Sequence, residues 1–244
     1  MKKRLDVLMV ERGLAETRSQ AQALVLAGRV KGHAKAGAQV EESAELELEE
    51  APRFVSRGGE KLANALEVFG IDVTEEDCLD VGASTGGFTD CLLQAGAARV
   101  LALDVGYGQL HPKLRGDPRV TVFERTNVRR LSCDDLPFRP TFVTCDVSFI
   151  GLAKALPPVL ACAAPGWRAL VLVKPQFEAG AADVGKGGVV RDPQVQRRVL
   201  DELIAQAPQW DAEVVGETES VLLGPKGNRE FFLYLRDRSE AAAR

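Results

Sequence analysis

A glycine-rich turn is the segment of this sequence whose chemistry is easiest to infer. The apolar run Cys78–Val81 leads directly into the turn Asp80–Phe88, which contains Gly82, Gly86 and Gly87. Glycines between the end of a strand and the start of a helix bring backbone N–H groups close to a ligand. The pattern predicts a site for a nucleotide-like cofactor. A simple tight turn that binds nothing is the alternative.

An aspartate about twenty residues further along the chain suggests how such a cofactor would be held. Asp104 ends the apolar run Val100–Leu103, as expected for a carboxylate that accepts hydrogen bonds from ribose hydroxyls. This much fits NAD and S-adenosylmethionine equally. The turn reads Asp-x-Gly-x-x-x-Gly, however, and lacks the paired glycines of Gly-x-Gly-x-x-Gly that a pyrophosphate requires. These features favour S-adenosylmethionine.

Two other apolar runs also end in a charged residue. Asp146 follows the run that ends at Cys145, and Lys174 ends the run that begins at Val171. In an open parallel sheet, ligands bind outside the carboxyl ends of the strands, where such residues are placed. A side chain that simply emerges into solvent is the alternative for each residue alone. Two such residues on consecutive strands favour a common cleft.

The elements that must position these residues alternate between helix and strand. Helices are predicted near 59–69, 86–95, 108–115, 151–162 and 192–206, and strands near 77–81, 99–104, 119–123, 141–146, 168–174, 211–217 and 229–235. Such alternation implies an α/β fold with a mostly parallel sheet covered on both faces.

Length and composition limit the remaining possibilities. The chain has 244 residues, of which 45% are hydrophobic, enough for one large domain and one small one. Its five cysteines include no Cys-x-x-Cys pair, and we interpret them as small apolar residues in a reducing compartment. With two histidines and no His/Cys cluster, no metal site is expected. Neither a signal peptide nor a membrane span is recognisable, so we expect a soluble cytoplasmic protein.

The first fifty residues have an uneven charge distribution. Residues 1–35 contain eight Lys or Arg and three acids, whereas residues 36–50 contain six Glu and no basic residue. Apolar spacing predicts two short helices, the second capped by Thr17 or Ser19, followed by a strand over 44–49. A basic helix pair is suited to RNA phosphates, although an ordinary solvated helix face has the same charge.

This N-terminal segment resembles the S4-type RNA-binding domain. The similarity lies in Arg4–Leu8, in Thr17–Ala21 and in Gly28–Val30. It implies an RNA-binding module joined to the larger domain. The predicted RNA-binding residues are Lys3, Arg4, Arg18, Arg29, Lys31 and Lys35, together with Arg57 after the module.

Nearly the whole chain resembles the TlyA/hemolysin A family, whose members join an S4-type domain to an FtsJ-like methyltransferase domain. The segments that carry the resemblance are Ser56–Leu62, Leu79–Thr89, Asp104–Leu110, Val173–Glu178 and Gly185–Asp192. The resemblance implies a Rossmann-like class I methyltransferase fold and 2'-O-methylation of rRNA.

The same resemblance implies a catalytic set of four charged residues: Lys61, Asp146, Lys174 and Glu230. A ribose hydroxyl is a poor nucleophile until its proton is lost or shared, and a neutral lysine amine can accept that proton. We expect Lys174 to be this base and Lys61 to help position the nucleotide. Asp146 and Glu230 would orient the lysines and the hydroxyl. Without the resemblance, a surface carboxylate is the simpler interpretation of Glu230.

The predicted cofactor contacts follow the strand ends and the resemblance. The methionine part of S-adenosylmethionine is expected beside the glycine turn, its ribose at Asp104 and its adenine after the third strand. The predicted cofactor-binding residues are Gly82, Ala83, Ser84, Thr85, Gly86, Asp104, Thr126, Asn127 and Asp146.

These observations predict an S-adenosylmethionine-dependent enzyme that methylates the ribose 2'-hydroxyl, of a cytidine, in rRNA within ribosomal subunits. Two alternatives are a non-catalytic RNA-binding or ribosome-assembly protein and a hemolysin. The complete catalytic set argues against the first, and the absence of a recognisable membrane-active stretch argues against the second. We predict an S4-type domain over 1–51, a linker over 52–58, a methyltransferase domain over 59–236 and a disordered tail over 237–244.

Overall fold

The structure, a computed structural model, describes residues 1–50 and 52–239. The chain divides into two compact units, Met1–Pro52 and Arg53–Arg244. Residues 240–244 of the predicted disordered tail lie outside the described residues. Within the described part, no helix combines the length and the apolar character needed to cross a membrane.

The N-terminal unit contains two helices and a two-stranded sheet. Its elements are β1 (Lys2–Arg4), α1 (Leu5–Glu11), α2 (Arg18–Leu26) and β2 (Gln39–Glu41). The two strands pair antiparallel. The predicted cap of α2 is confirmed, because the Thr17 hydroxyl accepts a hydrogen bond from the backbone N–H of Gln20 at 3.1 Å. Leu5, Leu8, Met9, Ala21 and Val25 form the buried core of this unit.

The strand predicted over 44–49 is wrong. This segment forms one isolated bridge, between Val30 and Leu48, and the strand of the unit is β2. Leu46 and Leu48 are partly buried against the helices, whereas the glutamates between them face outward. One-sided packing of an extended segment therefore explains the alternation without a partner strand.

The second unit is a seven-stranded sheet with helices on both faces. Its strands are β3 (Asp77–Val81), β4 (Arg99–Leu103), β5 (Val120–Phe123), β6 (Phe142–Cys145), β7 (Arg168–Val173), β8 (Ala212–Glu219) and β9 (Phe231–Asp237). Its helices are α3 (Gly58–Phe69), α4 (Gly87–Gln94), α5 (Pro112–Arg115), α6 (Leu152–Leu160), α7 (Pro175–Glu178) and α8 (Pro193–Gln206). The predicted fold class, a Rossmann-like α/β fold with a small α+β unit before it, is confirmed.

The strand order of the sheet is β5-β4-β3-β6-β7-β9-β8. The first five strands in this order are parallel, and β9 is antiparallel to both β7 and β8. The chain builds outward from β3 in one direction and then returns to place β6 on its other side. Ligands of such sheets bind at this switch point, outside the carboxyl ends of the two central strands.

Each central strand is buried on both faces. In β3, Leu79 and Val81 belong to the hydrophobic cluster on one face, and Cys78 belongs to the cluster on the other. Continuous apolar sequence is what a parallel strand covered by helices on both sides requires. The two buried central strands, β3 and β6, thus end at the glycine turn and at Asp146.

The structure shifts the ends of several predicted elements. α5 begins at Pro112 instead of near residue 108, because proline suits the first helical turn and the His111 side chain accepts a hydrogen bond from the Lys113 N–H. β7 ends at Val173, and Lys174 caps the short helix α7. β9 continues to the buried Asp237, one residue past the predicted end of the domain.

Part of the predicted linker 52–58 belongs to the second unit. Phe54 is 3% exposed and packs in its core, directly against Gly59. A Cβ atom on Gly59 would lie 2.2 Å from the Phe54 ring, so this contact requires glycine. Helix α3 follows at Gly58, one residue earlier than predicted.

The interpretation of the cysteines as small apolar residues in a reducing compartment is wrong for two of the five. Cys133 and Cys162 form a disulfide, with their Cα atoms 4.8 Å apart. A short 3-10 turn at Cys133–Asp135 brings Cys133 to the residues that follow α6, across 29 positions of sequence. The other three cysteines, Cys78, Cys91 and Cys145, are buried free thiols, and burial raises the pKa of each.

Candidate active site

The glycine turn after β3 is shaped by its close approach to β6. Gly82 has a φ of +84°, and a Cβ atom there would lie 2.4 Å from the backbone oxygen of Asp146. Gly86, with a φ of +95°, precedes α4, and a Cβ there would lie 2.3 Å from a methyl group of Leu114. Both positions require glycine for conformation and for space.

Four backbone donors of this turn are already used within the protein. The N–H groups of Gly82 and Ala83 both donate to the carbonyl of Leu103, and the N–H of Gly86 donates to Ala83. The N–H of Ser84 donates to Asp104 Oδ2 at 2.8 Å. The expectation that the turn offers bare N–H groups to a ligand is therefore wrong for these four residues. Their contribution to the site is shape and the position of Asp104.

Asp104 lies at the end of β4 with its carboxylate held by two backbone donors. Oδ2 accepts from Ser84, and Oδ1 accepts from the N–H of Gly106 at 2.6 Å. A carboxylate oxygen can accept more than one hydrogen bond, so both oxygens retain capacity for a ligand hydroxyl. A fixed acceptor of this kind suits a ribose diol.

A cavity of about 770 Å³ opens in front of Asp104. Leu103, Val128 and Ile150 supply apolar surface, and Phe149 and Phe177 supply aromatic surface. The cavity is large enough for an adenosyl ligand and combines apolar walls with a few fixed polar groups. The predicted cofactor-binding residues that line it are Gly82, Ser84, Asp104, Thr126, Asn127 and Asp146.

A smaller cavity of about 290 Å³ brings the four predicted catalytic residues together. Lys61 comes from α3, Asp146 follows β6, Lys174 follows β7 and Glu230 precedes β9. Gly82, Ser84 and Asp146 line both cavities, so the two are adjacent. Arg57, Ala83 and Thr85 also line the smaller cavity.

The first ion pair in this cavity is closed to solvent. Lys61 Nζ lies 2.6 Å from Glu230 Oε2, and the two side chains are 7% and 0% exposed. The other carboxylate oxygen, Oε1, is buried without a hydrogen-bond partner among the described residues. Gly224 lies directly over it, where a Cβ atom would be 2.0 Å from Oε1. A loop that lacks a side chain at this position therefore covers the pair.

The second ion pair is more open. Lys174 Nζ lies 2.5 Å from Asp146 Oδ1, with side chains 11% and 24% exposed. The contact lacks the alignment of a hydrogen bond, because Oδ1 has no hydrogen-bond donor among the described residues. Lys174 Nζ instead donates a hydrogen bond to Ser148 Oγ at 3.0 Å. Its ammonium thus has a carboxylate and a hydroxyl as neighbours.

Two residues at the site were missed by sequence reasoning. Asp80 is fully buried below the turn and accepts hydrogen bonds from Thr89 at 2.7 Å and Thr144 at 3.0 Å. Burial raises its pKa to about 7, although the threonine hydroxyls oppose the shift. Phe149 is 91% exposed at the cavity mouth with a φ of +64°. The only sequence signal for it was an aromatic residue just after Asp146.

Most of the predicted RNA-binding residues of the N-terminal unit are paired inside that unit. Lys3 Nζ lies 2.8 Å from both Glu11 and Glu42, and Lys31 Nζ lies 2.9 Å from Glu47. The remaining contacts are those of Arg4 and Arg18 with the buried Asp6, and of Arg29 with the backbone oxygen of Glu49. The acidic segment 36–50 therefore supplies counterions and carbonyl acceptors to the basic segment before it. No acidic side chain of the described residues lies within 4.0 Å of Lys35 Nζ.

The sheet order, the glycine turn and the strand-end carboxylate define a class I methyltransferase. The family comparisons agree: the model of the FtsJ-like methyltransferase family matches residues 54–237, and that of the S4 domain matches residues 3–31. Among described residues, no group of three or more His, Cys, Asp or Glu side chains is arranged to bind a metal ion.

The chain belongs to the TlyA/hemolysin A family of FtsJ-like methyltransferases. It is 46% identical to the Mycobacterium tuberculosis 16S/23S rRNA (cytidine-2'-O)-methyltransferase TlyA over 98% of this chain and 91% of that protein. It is 40% identical to Hemolysin A of Brachyspira hyodysenteriae over 95% of this chain and 98% of that protein. A solved structure from Streptococcus thermophilus is similar with a TM-score of 0.76 and 43% identity, covering 97% of this chain and 88% of that chain.

Proposed function

We propose that this protein transfers a methyl group from S-adenosylmethionine to the 2'-hydroxyl of a cytidine ribose in ribosomal RNA. The observation that carries the proposal is the adjacency of the two cavities. One presents the carboxylate of Asp104 among apolar walls, and the other is lined by both lysine–carboxylate pairs. The M. tuberculosis relative is named for this reaction. Ribosomal RNA, the proposed substrate, is found in the cytoplasm.

The larger cavity fits S-adenosylmethionine. Its sulfonium supplies an electrophilic methyl group. Asp104 would accept hydrogen bonds from the ribose hydroxyls, and Asn127, Val128 and Ile150 would hold the adenine. Gly82 would leave room for the methionine part beside Asp146.

Lys174 is assigned as the general base. When its amine is neutral, Nζ takes the proton of the ribose 2'-hydroxyl while that oxygen forms a bond to the methyl carbon and the carbon–sulfur bond breaks. The products are the 2'-O-methyl ribose, S-adenosylhomocysteine and a protonated lysine. Asp146 lies 2.5 Å from Nζ and would hold the amine at the boundary of the two cavities.

Lys61 is assigned to charge stabilisation. Its ammonium is fixed by Glu230 in a nearly closed environment, where a positive charge acts more strongly than in water. Facing the smaller cavity, it would stabilise negative charge that develops on the ribose oxygen. Glu230 would keep Lys61 charged and in place.

The RNA would reach this site with its target base unstacked. Phe149 offers an exposed aromatic face at the cavity mouth, with the Phe177 ring 5.0 Å away, and exposed aromatic rings stack on single-stranded bases. Arg57, exposed beside the smaller cavity, would contact a phosphate. The basic residues of the S4 unit would bind RNA elsewhere along the strand.

Transfer of labelled methyl groups to purified 30S and 50S subunits tests the proposal. The wild type should label rRNA, Lys174→Ala should not, and Lys113→Ala, which changes an exposed lysine of α5, should label as the wild type does. Reverse-transcription stops at low dNTP would then locate the modified ribose.

Two outcomes would contradict the proposal. Absence of labelling by the wild type would favour a non-catalytic RNA-binding protein, and equal labelling by Lys174→Ala would remove this lysine from the chemistry. Lysis of red cells by purified protein would favour the activity that the name of the Brachyspira relative suggests.

A further inference from the structure

The hydroxyl group of Ser148 is the second neighbour of the proposed base. Ser148 lies two residues after Asp146, in the loop that follows β6, and its Oγ accepts a hydrogen bond from Lys174 Nζ at 3.0 Å. It lines the larger cavity, whereas Lys174 lines the smaller one. The hydrogen bond therefore crosses the boundary at which methyl donor and acceptor would meet.

Two neighbours are enough to fix the rotation of a lysine amine. Nζ has four tetrahedral positions: one is the bond to Cε and one donates to Ser148 Oγ, while Asp146 Oδ1, 2.5 Å from Nζ without hydrogen-bond alignment, attracts a proton to its own side. The last position carries a proton in the ammonium form and the lone pair in the neutral form. With Asp146 alone, the amine could rotate and direct its lone pair elsewhere.

A hydroxyl group suits this task better than a second carboxylate would. An opposite charge favours the ammonium form of a lysine, and a base must lose that form before it can act. Serine accepts the same hydrogen bond without a net charge. It can therefore orient the amine with a smaller penalty for deprotonation.

We propose that Ser148 is a positioning residue that directs the lone pair of Lys174 toward the ribose 2'-hydroxyl. This inference rests on the proposed function of Lys174. Ser148 touches the base and takes no part in the bond changes: the proton moves from the ribose oxygen to Nζ, and the methyl group moves from sulfur to that oxygen.

Single-turnover methyl transfer to ribosomal subunits, measured from pH 6 to pH 10 with saturating S-adenosylmethionine, tests the inference. Ser148→Ala should lower the maximal rate roughly 10- to 100-fold, as expected for a misaligned reacting group. The KM values for cofactor and RNA, measured separately in the steady state, should be nearly unchanged. The acid limb of the Ser148→Ala profile should move to lower pH, because the ammonium has lost an acceptor. Ser148→Thr, which keeps the hydroxyl, should restore most of the rate.

A double variant separates this inference from the proposed function. If Ser148 acts through Lys174, Ser148→Ala should have no further effect on the residual rate of Lys174→Ala. Ser43→Ala, at an exposed serine of the N-terminal unit, is the control and should behave as the wild type.

The inference would be overturned by an unchanged rate and pH profile in Ser148→Ala, provided that Lys174→Ala is inactive. It would also be overturned if the double variant lost activity by the product of the two single-variant losses, because Ser148 would then act independently of Lys174. Full activity of Lys174→Ala would instead overturn the proposed base, and with it the role of Ser148.

Discussion

Two lysine–carboxylate pairs face the same small cavity but differ in how far they are closed to solvent. The Lys61–Glu230 pair is almost fully buried, whereas in the Lys174–Asp146 pair the carboxylate is 24% exposed. Their positions in the fold explain the difference. Glu230 is covered by the Gly224 loop, but Asp146 and Lys174 lie at the open carboxyl ends of central strands.

This difference in solvent exposure suits the two proposed roles, a fixed charge and a proton acceptor. A buried pair is costly to open, because either partner alone would leave an uncompensated charge in a low-dielectric site. A partly open pair can exchange protons with solvent and substrate at lower cost. The same two residue types therefore suit the two tasks proposed above: a fixed positive charge for Lys61 and proton transfer for Lys174.

Arginine substitutions should distinguish the two lysines most strongly. Lys174→Arg keeps the positive charge but cannot be deprotonated, so we expect a loss in maximal rate of roughly 10²- to 10⁴-fold, similar to that of Lys174→Ala. Lys61→Arg should retain considerably more activity, because its task requires only charge. Single-turnover rates with labelled S-adenosylmethionine measure both. Equal losses would remove the distinction between the two roles.

The free energy of unfolding should depend more on the Lys61–Glu230 pair than on the Lys174–Asp146 pair, the opposite of the order expected for the rate. Glu230→Gln leaves the buried Lys61 without its counterion and should lower the free energy of unfolding by about 4 kcal/mol. Asp146→Asn, at the more open pair, should cost about 1 kcal/mol or less. Urea unfolding followed by tryptophan fluorescence reports on the second unit, which contains both Trp167 and Trp210.

A double substitution provides the control for this prediction. Lys61→Met with Glu230→Leu replaces the pair by apolar groups and should recover much of the lost stability without recovering activity. If Asp146→Asn proves as costly as Glu230→Gln, solvent closure does not separate the two pairs.

The site residues that could be predicted from sequence are those that a short local pattern identifies. Apolar runs that end in one charged residue placed Asp104, Asp146 and Lys174 at strand ends, and parallel topology brings those ends together. Lys61 and Glu230 lie 169 positions apart, and their direct contact carries no local signal. Their inclusion in the predicted set depended on the resemblance to a known family.

The features that sequence reasoning missed depend on long-range contacts. The sequence showed an acidic segment after a basic one but not their contact: Glu42 and Glu47 are counterions of Lys3 and Lys31. The Cys133–Cys162 disulfide joins two segments whose spacing resembles no known motif. The antiparallel direction of β9 is set by the connection from β8, which alternation of helices and strands cannot reveal.

Two single buried carboxyl groups, one in each unit, also differ in the direction of their pKa shifts. Asp6 in the N-terminal unit and Asp80 in the second unit are both fully buried. Hydrogen bonds from Arg4, and then from Gln22, hold the pKa of Asp6 far below its usual range, whereas burial without a cation raises the pKa of Asp80 to about 7. Hydrogen-bond donors thus lower the pKa of one carboxyl group, and burial raises the pKa of the other.

These directions predict opposite pH dependence. Because the folded pKa of Asp80 is raised, its contribution to stability is complete below about pH 4 and is lost as the pH rises through 7. The loss between pH 4 and pH 7 should be about 3 kcal/mol, and Asp80→Asn should abolish it. For Asp6 the contribution is present above about pH 4 and is lost at lower pH. Tryptophan-detected urea unfolding at several pH values checks the Asp80 prediction, which a pH-independent difference between wild type and Asp80→Asn would contradict.

Paired and open cations should also differ in RNA binding, with the smallest effect of the four. Lys3 is held by Glu11 and Glu42, so a phosphate must displace two carboxylates to reach it, whereas the described residues place no acidic side chain within 4.0 Å of Lys35. Lys35→Ala should therefore weaken binding to rRNA about threefold and reduce the slope of log affinity against log salt by about 1. Lys3→Ala changes the net charge equally and is the matched control, with a smaller expected change in slope. Filter binding to an rRNA fragment between 50 and 200 mM salt measures both slopes, because phosphate contacts change the affinity strongly in this range. Equal slopes for the two variants would mean that net charge, and not the freedom of each lysine, governs RNA affinity.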